Sequence, residues 1–172
     1  MIAMTEANDK RPLLIKILAI LSFIWMGYTI LGLSADLLRG PISDDEMLDI
    51  ELDMVQEKNS LRQASDGNAT FMIGEVDKVV NYLQVRRANH NLATSLDLLT
   101  YLIGLTGVIF MVRRRVLGFH LYIIYSLLAI ATVYLYATPQ SIPVTLTLGS
   151  TFSGGLFVLL YSRNLRWMKS AG

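Results

Sequence analysis

Residues 92–115 have the sequence LATSLDLLTYLIGLTGVIFMVRRR, and residues 116–137 continue it as VLGFHLYIIYSLLAIATVYLYA. Both apolar runs reach the length of about 20 residues that an α-helix needs to cross a hydrocarbon core about 30 Å thick. Only the three arginines at 113–115 separate the runs. The two predicted spans must therefore be antiparallel neighbours.

Two more runs of this kind lie outward from that pair, LLIKILAILSFIWMGYTILGL at 13–33 and IPVTLTLGSTFSGGLFVLLY at 142–161. Hydrophobic residues make up 53% of the chain and charged residues 17%, whereas soluble domains carry about 25% charged residues. We therefore predict an all-α integral membrane protein, a bundle of four transmembrane helices. A cleaved signal peptide is the alternative for 13–33, but that run exceeds the usual apolar length of about 7–15 residues.

Basic residues collect in segments that four spans bring to one side of the membrane. Since short cytoplasmic loops carry an excess of Lys and Arg, we predict that 1–12, 113–115 and 162–172 are cytoplasmic and that the uncharged turn 138–141 is outside. With Lys16 near the inner end of the first span included, the cytoplasmic side then has a net charge of +7, against −5 for the outer segment 34–91. The residues expected to set the orientation and to contact lipid headgroups are Lys10, Arg11, Lys16, Arg113, Arg114, Arg115, Arg163, Arg166 and Lys169.

The acidic segment 34–91 is large enough to fold outside the bilayer. Ser43-Asp44-Asp45-Glu46 has the pattern of a capping box. In this motif the serine and glutamate side chains each accept a hydrogen bond from the backbone amide of the other residue. Apolar residues at helical spacing predict one helix over about 44–63 and a second that could continue toward 89, with a turn at 66–68 between them. We therefore expect an extracytoplasmic helical hairpin between the first and second spans.

Asp97 and His120 are the candidate functional residues inside the membrane, because ionisable groups there are expensive to keep. We expect Asp97 to face the bundle, where a hydroxyl group of another span could donate a hydrogen bond to it. A structural hydrogen bond of this kind, or a side chain that extends to the outer interface, competes with ion or proton handling. His120 lies about 15 Å away along the membrane normal, so the two cannot form a direct acid–base pair. The hydroxyl donors considered for Asp97 are Tyr28, Thr29, Thr132, Thr145 and Thr147.

Small residues recur four apart in the fourth span, and Gly104 shares a helical face with Asp97. Such rows permit close approach of helices. We expect the fourth span to lie centrally in the bundle or to pack against a second copy. The helix-packing candidates are Gly104, Thr145, Gly149, Ser153, Gly154 and Gly155.

Aromatic residues gather near the ends of the predicted spans. Tyrosine and tryptophan are enriched at membrane interfaces, where their rings meet the headgroups. The expected interface anchors are Tyr122, Tyr134, Tyr136, Tyr161 and Trp167.

The composition excludes several classes of chemistry. The chain has no cysteine, which excludes thiol catalysis, cysteine-based metal centres and the disulfide-forming four-helix membrane enzymes. Its two histidines lie too far apart in sequence to suggest a metal site, and its acidic run lacks the glycine and glutamate of an EF-hand loop. We found no phosphate-binding, dinucleotide-binding or hydrolase motif. Three arginines are too few to follow a nucleic-acid backbone. We expect no cofactor, no metal and no nucleic acid.

The two ends of the chain carry a family resemblance. Lys10-Arg11-Pro12-Leu13-Leu14, followed by ILAILSFI at 17–24, resembles the opening of uncharacterised four-span bacterial membrane proteins, and LLYSRNLR at 159–166 is similar to their tails. The resemblance implies the inner membrane of a bacterium and no particular activity.

These patterns favour a non-enzymatic membrane component that binds a partner or serves as an accessory subunit. The outer hairpin and the fourth span would contact a membrane protein or a second copy of the chain, within the lipid bilayer. The alternative is a small oligomeric transporter or channel that uses Asp97 to couple ions or protons, and a membrane-embedded enzyme is a third hypothesis.

Overall fold

The described part of the chain is helical. The computed structural model describes residues 12–63 and 68–169, which contain no strand. Two short 3-10 segments, Thr132–Leu135 and Pro139–Ser141, separate the last long helices. The α-helices are α1 Leu13–Arg39, α2 Asp44–Gln63, α3 Ala69–Ala88, α4 His90–Val112, α5 Val116–Ala131, α6 Val144–Ser162 and α7 Leu165–Lys169.

Four helical segments are long and apolar enough to cross a membrane, as predicted: Leu13–Arg39, His90–Val112, Val116–Leu135 and Val144–Ser162. The first helix continues six residues past the predicted end of the span at Leu33. It stops where Gly40 takes a φ of 88°, a left-handed conformation that glycine adopts without steric strain. The third segment tightens from α5 into a 3-10 turn at Thr132.

Helix α4 packs between α1 and α5, and glycines allow these helices to approach closely. A methyl group on Gly104 would lie 2.7 Å from Cδ2 of Tyr125 on α5 and 2.9 Å from Cε of Met26 on α1. A methyl group on Gly107 would lie 3.0 Å from the carbonyl oxygen of Gly118. Backbones that approach this closely depend on the absence of side chains.

The main apolar core lies at the end of the bundle that carries the turn Arg113–Arg115, which we call the arginine end. There α7 folds back, so that Trp167 is buried with the Arg114 guanidinium 4.6 Å from the centre of its ring. Three of the five expected interface anchors, Tyr122, Tyr161 and Trp167, are therefore core residues, and the prediction was wrong for them. The hydroxyl group of Tyr161 lies 3.0 Å from that of Ser22 on α1, within hydrogen-bond distance.

Of the two arrangements expected for the fourth span, the central position is wrong, because α6 lies at the edge of the bundle; packing against a second copy stays a prediction. Only 6% of its most apolar window is buried, against 28–33% in the other three segments. A methyl group on Gly154 would lie 3.3 Å from Cβ of Ser126 on α5, whereas added methyl groups on Gly149 and Gly155 would meet no atom within 4 Å. Those two glycines make no close helix contact within the described chain.

Helices α2 and α3 pack against each other in antiparallel directions. Lys58 Nζ lies 2.6 Å from Asp77 Oδ1, and Gln84 donates to Glu51 over 2.7 Å. The predicted capping box is confirmed: the amide of Ser43 donates to Glu46 over 3.1 Å, and the amide of Glu46 donates to the Ser43 hydroxyl over 3.2 Å. Helix α3 does not continue into α4, since Asn89 interrupts the helical conformation between Ala88 and His90.

Candidate functional site

An arginine of the hairpin neutralises the carboxylate that the sequence places inside a span. Arg86 Nη2 lies 2.7 Å from Asp97 Oδ2, and the two side chains are 30% and 19% exposed. The break at Asn89 sets α3 beside the first turns of α4 and so brings together residues eleven positions apart. The partner seen for Asp97 is therefore an arginine of the hairpin, which was not among the hydroxyl donors considered from the sequence. An arginine supplies both a donor and the opposite charge, which a hydroxyl group cannot.

The ion pair belongs to a larger polar network. Arg86 Nη1 donates to the hydroxyl of Tyr82 over 3.2 Å, and that hydroxyl lies 2.9 Å from the hydroxyl of Tyr136. Burial by itself lowers the pKa of Arg86, but Asp97 and Tyr82 raise it more, so the net pKa lies above its ordinary value. The guanidinium therefore remains charged and joins α3 to α4, while the Tyr82 hydroxyl joins α3 to Tyr136, directly after the third spanning segment.

A second charged contact ties α3 to the start of α6. Glu75 accepts the amides of Val144 over 2.7 Å and Thr145 over 3.3 Å, and Lys78 donates to it over 2.9 Å. The first amides of a helix have no partner within the helix, and the N-cap residue Pro143 provides no side-chain hydrogen bond. The Glu75 carboxylate supplies this cap from another helix, where the positive end of the helix dipole favours its charge.

The same contacts affect the ionisation of Glu75. The hydrogen bond from Lys78 is the main cause that lowers its pKa; burial opposes that effect, and the amides of Thr145 and Val144 add to it. Glu75 is therefore ionised at neutral pH, as a helix cap requires.

A small apolar cluster lies between the two charged contacts. Tyr82 of α3 packs with Val133, Ala137 and Ile142 of the connection between α5 and α6. We call Glu75, Tyr82 and Arg86, together with the residues they bind, the hairpin clamp. Burial of apolar surface and two charged hydrogen-bonding contacts act together in it, so α3 is held to the spans at three positions along about three turns.

A groove of about 560 Å³ opens between α1 and α6, with α4 and α5 as its floor. Thr145, Gly149 and Ser153, one of the rows of small residues noted in the sequence, line its α6 side. The contact between Ser22 and Tyr161 lies at its end nearer the arginine end. Since the groove lies between two helices that could cross a membrane, it faces the hydrocarbon region in a membrane-inserted chain.

His120 is not brought together with Asp97. Its side chain is exposed, and its Nδ1–H donates to the carbonyl oxygen of Val116 on the preceding turn over 3.1 Å. In the described segments 12–63 and 68–169, no group of three or more histidine, aspartate or glutamate side chains is arranged to hold a metal ion.

The residues expected to set the orientation are mostly exposed. Lys16, Arg113, Arg115 and Arg163 are open to the surroundings, whereas Arg114 stacks on Trp167. Lys10 and Arg11 lie outside the described residues, as do the side chains of Arg166 and Lys169 and positions 66–67 of the predicted turn.

Sequence reasoning missed Glu75 and Arg86, although a signal for both is present. Glu75, Val79, Tyr82 and Arg86 follow one another at spacings of four, three and four residues, so they share one face of a helix. Charged residues that bracket an apolar face at this spacing indicate a surface that docks onto polar partners. The partners themselves are distant in sequence and could not be identified from spacing.

No homologous protein supplies a function for this arrangement. The chain matches no protein-family model, no curated protein and no solved structure. The suspected resemblance to four-span bacterial proteins therefore stays a prediction, and function has to be argued from the geometry of the clamp, the groove and α6.

Proposed function

We propose that the protein is a non-enzymatic membrane component that binds a partner protein within the bilayer through α6. In this proposal it is a multi-pass protein of a bacterial inner membrane, with both ends of the chain in the cytoplasm and the α2–α3 hairpin outside. The observation that carries the proposal is the burial of α6. This helix has 6% of its apolar window buried, whereas the other spanning segments have 28–33%.

Helix α6 is fixed in place although little of it is packed. Glu75 holds its first turn, and the contact between Ser22 and Tyr161 holds its last turn. Between these points, Gly149 and Gly155 leave open space on two sides of the helix. Membrane helices associate through close contact of small residues, because lipid offers no hydrophobic driving force. A rigidly held helix with uncovered small residues is suited to receive a helix of another chain.

Site-specific photo-crosslinking in native membranes tests the proposal. A photoreactive amino acid at Ser153, in the groove, should give an adduct with one membrane protein, whereas the same probe at the exposed Leu127 on α5 should give lipid adducts. Gly149→Leu should remove the protein adduct, because its side chain would fill the groove, and Gly155→Leu, outside the groove, serves as the matched control. Lipid adducts alone at Ser153 would refute the proposal. An adduct of two copies of this chain would replace the partner with a homo-oligomer.

The alternative of a small oligomeric transporter or channel rests on Asp97. The ion pair with Arg86 supports a structural role for this carboxylate, so we rank the alternative second. Asp97→Asn in proteoliposomes separates the two proposals: loss of an ion- or proton-dependent flux, with the fold intact, would favour transport.

The orientation has a separate test. A reporter that works only in the cytoplasm should be active when it is fused after Lys169. A reporter that works only outside the cytoplasm should be active when it is inserted at position 66. The reverse pattern would invert the proposed orientation.

A further inference from the structure

The hairpin has a second apolar face that nothing in the described chain covers. Leu48, Leu52 and Val55 of α2 are 55%, 53% and 47% exposed. Their spacing of four and three residues puts them in one stripe along the helix. Met47, about 100° around the helix from Leu48, is buried. Helix α2 therefore uses one apolar face to pack within the protein and presents another outward.

Acidic residues flank the exposed stripe on both sides. At 3.6 residues per turn, Asp45 and Asp49 fall on one side of it, and Asp44 and Glu51 fall on the other. Asp45 and Asp49 are exposed, and the side chain of Asp44 remains 93% exposed although it contacts Arg87. The outward face of α2 thus combines an apolar centre with acidic residues on both sides. Asp45 and Asp49 carry most of its free negative charge, since Asp44 pairs with Arg87 and Glu51 accepts a hydrogen bond from Gln84.

This charge pattern decides between the occupants that an apolar stripe could have. Helices that lie on a membrane surface carry Lys and Arg beside their apolar face, and acidic residues oppose binding to anionic lipids. A second copy pairing through the same face would bring like charges together, which is unfavourable. The pattern is complementary to an apolar helix face flanked by Lys or Arg.

We infer that the Leu48–Leu52–Val55 stripe docks an amphipathic helix with basic flanks, supplied by an extracytoplasmic segment of the partner protein. This inference rests on the proposed function and names the chemistry of the partner at the hairpin. The hairpin clamp supports it, because a face already held on the spans loses little conformational freedom when it binds. The stripe is short, so the contact is weak by itself and depends on α6 to hold the partner close.

A designed peptide tests the chemistry directly. The probe is a fluorescent helical peptide with leucines at i, i+4 and i+7 and lysines on both flanks, added to the full-length protein in phosphatidylcholine nanodiscs. We expect saturable binding in the micromolar range by fluorescence anisotropy. Leu52→Asp should weaken it about tenfold, whereas Leu38→Asp, at a leucine 90% exposed on the last turn of α1, should leave it unchanged.

The charge beside the stripe gives a second readout. Asp45→Asn combined with Asp49→Asn should weaken binding and reduce its dependence on salt, and a peptide with glutamate in place of lysine should not bind. Equal binding of the lysine and glutamate peptides would overturn the inference. Equal binding of the lysine peptide to the Leu52→Asp and Leu38→Asp proteins would also overturn it. Self-association that Leu52→Asp abolishes would also overturn it, in favour of a second copy. Contact of the stripe with the nanodisc lipid, detected as quenching of a fluorophore at position 52 by brominated phosphatidylcholine, would overturn it in favour of the membrane surface.

Failure of this inference can be told apart from failure of the proposed function. If the peptide does not bind but the Ser153 crosslink persists, the protein has a partner that does not use α2. If Ser153 gives lipid adducts alone, the proposed function fails whatever the peptide does.

Discussion

Removal of the Asp97 carboxylate should destabilise the protein through Arg86. Asp97→Asn keeps the size of the side chain and leaves the partly buried guanidinium without its counter-ion. Fully exposed ion pairs contribute about 0–1 kcal/mol, and breaking a fully buried pair costs about 3–5 kcal/mol. With side-chain exposures of 30% and 19%, the Arg86–Asp97 pair lies between these limits. We expect Asp97→Asn to lower the free energy of unfolding by about 2 kcal/mol.

A double-mutant cycle isolates the interaction between the two residues. Asp97→Asn, Arg86→Met and their combination are unfolded reversibly in mixed detergent micelles, with tryptophan fluorescence as the signal. The coupling energy should be about 1.5 kcal/mol. The control is the Lys58–Asp77 pair, which has a similar N–O distance of 2.6 Å but an aspartate that is 54% exposed. Its coupling energy should be about 0.5 kcal/mol. Equal coupling in the two cycles would refute the argument that burial of Asp97 makes it a structural residue.

Three further predictions follow from the packing and the helix cap. Gly104→Ala should destabilise the protein by about 1–3 kcal/mol, because the added methyl group overlaps a neighbouring side chain, whereas Gly27→Ala should raise stability by about 0.5 kcal/mol in open space. Tyr161→Phe should cost about 1 kcal/mol, as expected for one hydrogen bond. Glu75→Gln should lower the melting temperature at pH 7, and the difference from wild type should vanish as the pH falls well below 4.5. Thermal unfolding in detergent measures all three.

The sign of the pH effect follows from the lowered pKa of Glu75. A carboxyl group whose pKa is lower in the folded state stabilises the fold above its unfolded value, and this stabilisation is lost as the pH falls through the folded value. Lys78→Met should therefore weaken the pH dependence, since Lys78 is the main cause of the lowered pKa. A Glu75→Gln deficit that does not decrease at any pH below 4.5 at which the protein still folds would contradict the assignment of Glu75 as a charged cap.

The sequence predicted the features that depend on nearby residues. Apolar runs of span length predicted the four helices that are long and apolar enough to cross a membrane, and the Ser43–Glu46 spacing predicted the capping box, since each requires only local geometry. The partners of Asp97 and of the α6 amides could not be predicted, because Arg86 and Glu75 reach them only after the chain turns at Asn89. Tyr161 was misjudged because a position near a span end is compatible with both an interface and a core. The small residues of α6 were correctly noticed, but their spacing does not say from which chain a neighbour comes.

The cap on α6 has a consequence for biogenesis. In the proposed orientation the hairpin is synthesised and crosses the membrane before α6, so the carboxylate of Glu75 is already outside when Val144 and Thr145 reach that side. The last helix can then complete its first turn against a surface that is already assembled. Without residues 44–88, the first turn of α6 would have amides without a hydrogen-bond partner near the hydrocarbon core of the membrane. Unpaired amides there cost free energy. A shortened chain would therefore need a new capping residue at position 143 before its last helix could insert correctly.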